Sequence, residues 1–384
     1  MIKLLIVDDS ALMRRQLSLL FQAAGDFVIR QARNGQEAVE ENREFQPDVV
    51  TLDINMPEMD GITALSLIMA ERPVPVVMVS SLTEKGALAT FEALNLGAID
   101  YVAKPGGTIS LSLDQIKDEL LTKVRGAMRA RPGTRGSPLG RTAAPRPALR
   151  PAPALRTTAT EQPSKAQSLA QRLREEREAH AASARERSAV RNTRDGLLLI
   201  GVSTGGPRAL EAVLPDLPAD FPWPVLVVQH MPASFTGPFA ARLDNICPLT
   251  VVEASRPMPV ERGHVYVGKG GADMVVTRRA GVLTVLPKPE NAAHLWHPSV
   301  ELMARTALEV VAADQLHAVM LTGMGNDGAD AFTEIKRRGG RTVAESEETA
   351  VVWGMPGELV SRGGASMVLP LDKISAQVKA WALR

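Results

Sequence analysis

The sequence has one cysteine, almost no net charge and no long apolar run. The single cysteine, Cys247, excludes an internal disulfide and fits a reducing compartment. We expect it to be a small buried apolar residue rather than a reactive thiol. No run approaches the roughly 20 apolar residues that a membrane helix needs, and the start, MIKLLIVDDS, is no signal peptide. These absences predict a soluble, cytoplasmic protein without membrane insertion.

The formal net charge of +1 hides a strongly basic middle segment. Residues 125–194 contain fifteen arginines and one lysine against five glutamates, a net charge of +11 that leaves −10 on the rest of the chain. Because this segment is rich in proline and alanine and poor in large apolar residues, it cannot bury enough surface to offset its ordering entropy. We predict a flexible basic linker over residues 123–195, with transient helix in its second half. Binding of nucleic acid or acidic partners by this run is the alternative.

With 384 residues, the chain is long enough for two domains. Residues 2–120 alternate five apolar runs with amphipathic helical stretches. The runs are IKLLIV, FVIRQA, DVVTL, VPVVMVS and AIDYVA. This alternation predicts an α/β domain with a doubly wound, five-stranded parallel sheet, whose ligands bind at the carboxyl ends of the strands.

Charged and polar residues cluster at those carboxyl ends. Asp8 and Asp9 follow the first run, Asp53 the third, Ser80 ends the fourth, and Lys104 follows the fifth. Carboxylates that share a pocket repel one another unless a cation neutralises them, and such oxygen ligands suit Mg²⁺. A carboxylate beside Mg²⁺ can accept a phosphoryl group because the metal screens the incoming charge.

The motifs VDDS, LDINMPEMDG, VSS and YVAKP resemble those of a response-regulator receiver domain with a flavodoxin-like fold, over residues 1–122. The resemblance implies that Asp53 is phosphorylated. The Mg²⁺ ligands that it implies are Asp9, the Asp53 carboxylate and the Asn55 backbone carbonyl, with Asp8 acting through water. The residues that it places around the phosphoryl group are Lys104 and Ser80, with Tyr101 at the aromatic switch position.

From Leu197 onward the α/β alternation resumes, with the runs LLLIGV, VLVVQH, HAVMLTG, RTVAE and SMVLP. The stretch HVYVGKGGADMVVTRRAGVLTVLP interrupts it with short strands and Gly/Asp turns, which predicts an inserted β-hairpin or small meander. We therefore predict a second doubly wound domain over residues 196–384. It is Rossmann-like, with a mostly parallel sheet.

A hydroxyl lies in a glycine-rich turn at the start of this domain. The residues GVSTG fit G-x-S-x-G, the nucleophile elbow of serine hydrolases, with Ser203 as the nucleophile. A tight strand-to-helix turn or a phosphate-binding loop is also consistent, although the lysine of a P-loop and the second glycine of G-x-G-x-x-G are absent. His230 and Asp327 each follow another apolar run. Three carboxyl-end loops thus offer serine, histidine and aspartate to one crevice.

The chain order Ser, His, Asp disfavours the α/β-hydrolase fold, in which the acid precedes the histidine. Of the other histidines, His264 and His317 begin predicted strands away from the crevice, and we expect structural or surface roles. His294 and His297 precede a predicted helix and stay candidates for the rim of the site.

The second domain resembles the catalytic domain of the chemotaxis protein-glutamate methylesterases (CheB). The motifs that carry the resemblance are, in order, IGVSTGGP, VVQHMP, HPSVELM, LTGMGNDGA, AVVWGMPGELV and VLPLDKI. The resemblance implies Ser203 as nucleophile, His230 as base and Asp327 as the acid that orients it. It also implies that the Met324 backbone amide contributes to the oxyanion hole and that Thr204 supports the histidine.

Two features depart from the family pattern. His297 stands where the family usually has an arginine, which concerns substrate recognition rather than the triad. The linker is also long and very basic for this family.

Together the two resemblances imply a phosphorylation-activated serine esterase acting on glutamate methyl esters, and on specific glutamines by deamidation, in cytoplasmic helices of chemoreceptors. They imply a chemotaxis histidine kinase as phosphodonor and methyl-accepting chemoreceptors as substrates. Mg²⁺ would serve the receiver, and the esterase chemistry would need no cofactor. The alternative is a receiver-regulated protein that binds nucleotides or nucleic acid, although the second domain is far larger than a helix-turn-helix module.

Overall fold

The computed structural model describes residues 1–81, 83–104, 109–129, 196–291 and 294–382. The predicted linker lies outside the described residues, apart from residues 123–129, which belong to the last helix of the first domain. None of the described helices is both long and apolar enough to cross a membrane.

The first domain has a five-stranded sheet within the described part of residues 1–129. Its strands are β1 (Ile2–Val7), β2 (Phe27–Ala32), β3 (Val49–Asp53), β4 (Val76–Ser81) and β5 (Asp100–Lys104). Its helices are α1 (Ala11–Ala24), α2 (Gly35–Glu44), α3 (Gly61–Glu71), α4 (Glu84–Leu96) and α5 (Ile109–Arg129). The strand order is β2-β1-β3-β4-β5 and every pairing is parallel, which confirms the predicted doubly wound sheet.

The second domain is built on a seven-stranded sheet within the described residues. Its strands and those of a smaller sheet are β6 (Leu197–Val202), β7 (Val225–Gln229), β8 (Thr250–Ala254), β9 (Met258–Pro259), β10 (His264–Gly268), β11 (Ala272–Arg279), β12 (Val282–Pro289), β13 (Leu316–Met320), β14 (Arg341–Glu345) and β15 (Met367–Leu369). Its helices are α6 (Gly206–Val213), α7 (Ala233–Ile246), α8 (Val300–Val310), α9 (Ala329–Arg337), α10 (Met355–Ser361) and α11 (Leu371–Ala382).

The order of the large sheet is β15-β14-β13-β6-β7-β10-β8, with parallel pairings throughout. All six residues of β6 are buried because helices cover both faces of this central strand. The chain runs outward from β6 to β7 on one side and later to β13 on the other. This reversal makes a topological switch point at the carboxyl ends of β6 and β13, where doubly wound sheets bind their ligands.

The predicted insertion is smaller than the sequence suggested. Strands β11 and β12 form an antiparallel hairpin that β9 extends to three strands. The run HVYVG, expected to belong to this insertion, is instead β10, which pairs in parallel between β7 and β8. The sequence reasoning missed this because Tyr266 and its neighbours alternate in size like a hairpin strand, whereas the strand is in fact buried between two parallel neighbours.

Two residues that we expected to be structural, Cys247 and His317, lie in buried positions. Cys247 is buried beside the apolar core. His317 lies in β13 between two indole rings, 4.1 Å from the ring centroid of Trp223 and 5.4 Å from that of Trp381. Burial lowers the pKa of His317 to about 4, so the ring packs as a neutral aromatic group.

Candidate active site

The serine, the histidine and the aspartate follow three neighbouring strands of the large sheet. Ser203 follows β6 directly and His230 follows β7, and the register pairs Val202 with Gln229 so that the two side chains leave adjacent strand ends. Asp327 lies in the loop after β13, on the other side of β6. The switch point therefore brings together the three residues that the sequence singled out.

The His230 ring is held by Asp327 through one nitrogen. Its Nε2 lies 2.8 Å from Asp327 Oδ2, while its Nδ1 is buried and has no hydrogen-bond partner among the described residues. An ionised carboxylate only accepts hydrogen bonds, so Nε2 carries the proton and Nδ1 has the free lone pair. The available base in this geometry is Nδ1.

The start of helix α8 holds the Asp327 carboxylate. The backbone N–H groups of Val300 and Glu301 donate to it at 2.6 and 3.0 Å, and the Ser299 hydroxyl donates to Oδ1 at 3.0 Å. Burial raises the pKa of Asp327, but His230 and these backbone donors lower it by more, so the net shift is downward. The carboxylate therefore stays ionised at neutral pH.

A second imidazole–carboxylate pair adjoins the first. His297 Nδ1 lies 3.1 Å from both oxygens of Asp273, whose side chain is fully buried. The same carboxylate accepts a hydrogen bond from the Ser299 N–H at 3.0 Å. His297 thus supports Asp273, which fixes Ser299, whose hydroxyl holds Asp327.

The ring of Trp296 lies parallel to His230, at 2° between planes and 5.6 Å between centroids. Its position depends on Gly325, which has φ +86°, because a Cβ there would lie 2.8 Å from the indole. Glycine is therefore required at 325 both for the backbone conformation and for the space.

The turn after β13 also carries the predicted oxyanion donor. No described residue accepts a hydrogen bond from the N–H of Met324, so this donor is available to a ligand. Thr204, expected to support the histidine, uses its backbone carbonyl to accept a hydrogen bond from the Thr322 hydroxyl at 2.9 Å. The described contacts of His230 do not include the Thr204 side chain.

The predicted acidic cluster lies at the carboxyl ends of the strands of the first sheet. Ligand atoms of Asp8, Asp9 and Asp53 all lie within 4.8 Å of one another. Lys104 Nζ bridges Asp8 and Asp53, at 2.8 Å from each carboxylate. Burial raises the pKa of Asp53, against the lowering effect of Lys104. One lysine offsets only part of the charge of three carboxylates, so the cluster fits a divalent cation as a further partner.

Two other predicted residues of this cluster are less defined. Asn55 lies exposed in the loop after β3. The predicted ligand there is its backbone carbonyl oxygen, not its side chain. Ser80 belongs to β4, but its side chain lies outside the described part of the structure.

Comparison with known proteins matches both domains. Residues 198–378 match the CheB methylesterase family, and residues 4–113 match the response regulator receiver domain. The protein-glutamate methylesterase/protein-glutamine glutaminase 3 of Rhodospirillum rubrum is 51% identical over 384 residues, which are 100% of this chain and 97% of that protein. The chain belongs to the CheB methylesterase family.

A second relative matches nearly the whole chain, and a solved structure matches the second domain. A protein-glutamate methylesterase/protein-glutamine glutaminase 2 of Rhodopseudomonas palustris is 50% identical and covers 99% of this chain and 98% of its own length. Among solved structures, the Thermotoga maritima CheB methylesterase catalytic domain is 37% identical, covers 49% of this chain and 98% of that one, and has a TM-score of 0.47.

The receiver domain packs against the methylesterase domain through aromatic rings. Tyr101 of β5 stacks on Phe235 of α7, with 4.8 Å between centroids and 5° between planes. Phe91 of α4 stacks on Phe239 of α7 at 5.3 Å. Helix α7 follows His230 in the chain, so these rings contact the helix next to the His230 imidazole.

A second part of this interface reaches the turns that carry the site. A Cβ at Gly126 of α5 would lie 3.0 Å from Met324 Cε, so the α5 backbone packs directly on the predicted oxyanion turn. Burial raises the pKa of Asp100 in β5, while Lys123 and the nearby Thr204 hydroxyl lower it. The residue after Ser203 therefore faces a buried carboxyl of the receiver.

Sequence reasoning missed several residues that shape the site. Ser299 had a local signal, because a serine before an apolar helical run is typical of an N-cap, and its Oγ accepts from Leu302 N at 3.2 Å. Asp273 and Trp296 had none, because a hairpin strand and a loop bring them to the site through tertiary packing.

The His297–Asp273 pair predicts a selective effect on stability. His297→Ala leaves the buried Asp273 carboxylate without its imidazole partner and should lower the free energy of unfolding by about 3 kcal/mol. His297→Asn keeps an N–H donor in the place of Nδ1 and should cost about 1 kcal/mol or less. Urea unfolding of the three proteins measures this difference, and equal stability of both variants and the parent would contradict the pairing.

Proposed function

We propose that this chain is a phosphorylation-activated serine esterase that hydrolyses glutamate methyl esters on cytoplasmic helices of chemoreceptors. The observation that carries the proposal is the His230–Asp327 pair beside Ser203 at the switch point, with the receiver packed on the same turns. Specific receptor glutamines would be deamidated by the same residues.

The proposed first step is acylation of Ser203. Its Oγ attacks the γ-carbonyl carbon of the methylated glutamate while His230 Nδ1 takes the hydroxyl proton. The carbonyl π electrons move to oxygen, and the Met324 N–H donates to this oxyanion. When the C–O bond breaks, the imidazolium returns the proton to the leaving oxygen and methanol departs.

Water completes the cycle. His230 Nδ1 takes a proton from water as its oxygen attacks the acyl carbon, and the proton then passes to Ser203 Oγ as the ester bond breaks. The receptor glutamate, now with a free side-chain carboxylate, leaves and the Ser203 hydroxyl is restored. Asp327, ionised through its low pKa, keeps the ring in one tautomer and stabilises the imidazolium in both steps. With a glutamine substrate the leaving group is ammonia.

The contacts of the glycine-rich turn favour this chemistry over nucleotide binding. The Ser203 N–H donates to Thr322 O at 3.0 Å, and the Gly206 N–H donates to Ser203 O at 2.8 Å. Two of the N–H groups that a phosphate-binding loop would aim at its ligand are therefore already used. The basic linker, on which the nucleic-acid alternative depends, lies outside the described residues.

For the receiver we propose that Asp53 accepts a phosphoryl group from a chemotaxis histidine kinase in the cytoplasm. Asp8, Asp9, Asp53 and the Asn55 carbonyl would hold Mg²⁺, which when bound screens the charge between carboxylate and phosphoryl group. Lys104 and Ser80 would contact the phosphoryl oxygens. Since Lys104 and Tyr101 share β5, a shift of Lys104 toward a phosphoryl group would loosen the Tyr101–Phe235 stack.

Activation then follows from linkage. The receiver packed on the Ser203 and Met324 turns would block a receptor helix, and phosphorylation can raise activity only by its free-energy preference for the open arrangement.

The nucleophile assignment is tested by methanol release from methylated chemoreceptors in the presence of a phosphodonor. Ser203→Ala should lower the rate at least about 10³-fold, because no other group supplies the acyl acceptor. Ser375→Ala is the control, since this buried serine bonds Asp216 away from the site. Release by Ser203→Ala within tenfold of the parent would refute the proposal.

The switch is tested at Phe91, whose ring stacks on Phe239. Phe91→Ala should raise methanol release without a phosphodonor about tenfold and shrink the response to the donor, because it removes about 1.4 kcal/mol of interface packing. Leu88→Ala is the matched control, since Leu88 is on the same helix but 60% exposed. An unchanged basal rate in Phe91→Ala would contradict autoinhibition by this face.

A further inference from the structure

A buried carboxyl group lies beneath the nucleophile turn and belongs neither to the triad nor to its second pair. Glu345 ends β14 with no exposed surface. Its Oε2 accepts a hydrogen bond from the Thr322 N–H at 2.8 Å, and its Oε1 accepts one from the Thr349 hydroxyl at 2.9 Å. An acid so buried without a cation costs free energy, because its charged form is desolvated and two hydrogen bonds offset only part of that loss.

Thr322 is the hub through which this carboxyl reaches the site. Its carbonyl accepts the Ser203 N–H at 3.0 Å, and its hydroxyl bonds the Thr204 carbonyl at 2.9 Å. The Val352 N–H donates to the same hydroxyl at 2.9 Å. Thr322 thus ties the nucleophile turn to the segment that packs on Met324, and Glu345 fixes the N–H of this hub.

We propose that Glu345 is a positioning residue for the esterase reaction, holding the Thr322 hub and through it the Ser203 backbone and the Met324 turn. The inference rests on the proposed function. The Glu345 carboxyl can hydrogen-bond both of its neighbours in either protonation state. In the neutral form Oε2 still accepts from the Thr322 N–H, while the protonated Oε1 donates to the Thr349 hydroxyl. The ionised form holds the hub more tightly because its hydrogen bonds are charge-assisted.

The pKa of the Glu345 carboxyl lies near neutrality. Burial raises the pKa of Glu345 to about 7, against the lowering effect of the Thr322 N–H and the Thr349 hydroxyl. These two groups, from the loops that follow β13 and β14, are the ones that act on it; no charged side chain of the described residues contributes. Positioning of Ser203 is thereby expected to tighten as the pH rises through 7.

Two substitutions separate positioning from folding. Glu345→Gln reproduces the neutral carboxyl, because its amide oxygen accepts from Thr322 and its NH₂ donates to Thr349. Glu345→Met keeps the length and removes the cost of burying an acid, but leaves the Thr322 N–H without an acceptor. Thr349→Val is the matched control, since it removes the second hydrogen bond and leaves the first.

The experiment measures kcat and KM for methanol release with phosphodonor present, and the rate at which a fluorophosphonate probe labels Ser203, between pH 6 and 8.5. Glu345→Met should lower kcat and the labelling rate about 10²-fold with KM within twofold and no loss of Tm. The ratio of parent to Glu345→Gln kcat should be near 1 at pH 6 and rise about fivefold by pH 8.5. Thr349→Val should stay within threefold of the parent.

The ratio cancels every pH dependence that the two proteins share. A pH-independent ratio, or normal labelling and kcat in Glu345→Met, would overturn the positioning role. Failure of the proposed function is a different result: the parent would then be labelled at Ser203 but release no methanol.

Discussion

The hydrogen bond between Asp327 and His230 Nε2 is the interaction on which the arrangement of the site depends. It occupies Nε2 and leaves Nδ1 as the nitrogen that can act as the proposed base, the reverse of the pairing in the chymotrypsin triad. The start of α8 is organised around the carboxylate, with two N–H groups and the Ser299 hydroxyl on its oxygens. His297 and Asp273 then fix Ser299. The Asp327 carboxylate, the proposed orienting acid, is therefore itself fixed by hydrogen bonds.

Both domains use the same architecture for different chemistry. Each has a doubly wound parallel sheet whose candidate functional residues follow the carboxyl ends of adjacent strands. Strand β5 joins the two sites, because Lys104 reaches the Asp53 carboxylate while Tyr101 stacks on Phe235 of the methylesterase domain. A charge change at the Asp53 site and a packing change at the Tyr101–Phe235 contact would then be coupled through one strand, which is the physical basis of the proposed regulation.

The sequence predicts those features of the fold and of the site that depend on where the strands lie in the chain. Continuous apolar runs such as LLLIGV indicate buried parallel strands, and residues directly after them converge at one edge, which is how Ser203, His230 and Asp327 could be grouped. Strand β10 was assigned wrongly because its alternating pattern is also that of a hairpin. Asp273 and the choice of Nδ1 as base depend on tertiary packing and have no local signal. Glu345 had a local signal, since it ends the predicted strand RTVAE. A single acid at a strand end, however, does not indicate a particular role.

In the proposed regulation, the receiver covers the Ser203 site and phosphorylation uncovers it. Amide hydrogen exchange with and without a phosphodonor and Mg²⁺ tests it directly, because α7 and the turn after β6 lose their cover together only if the domains separate. We predict faster exchange in Ala233–Ile246, Asp100–Lys104 and the Ser203 turn of the phosphorylated protein, and no change in Asp53→Asn. Unchanged exchange in these segments while methanol release rises would contradict the account.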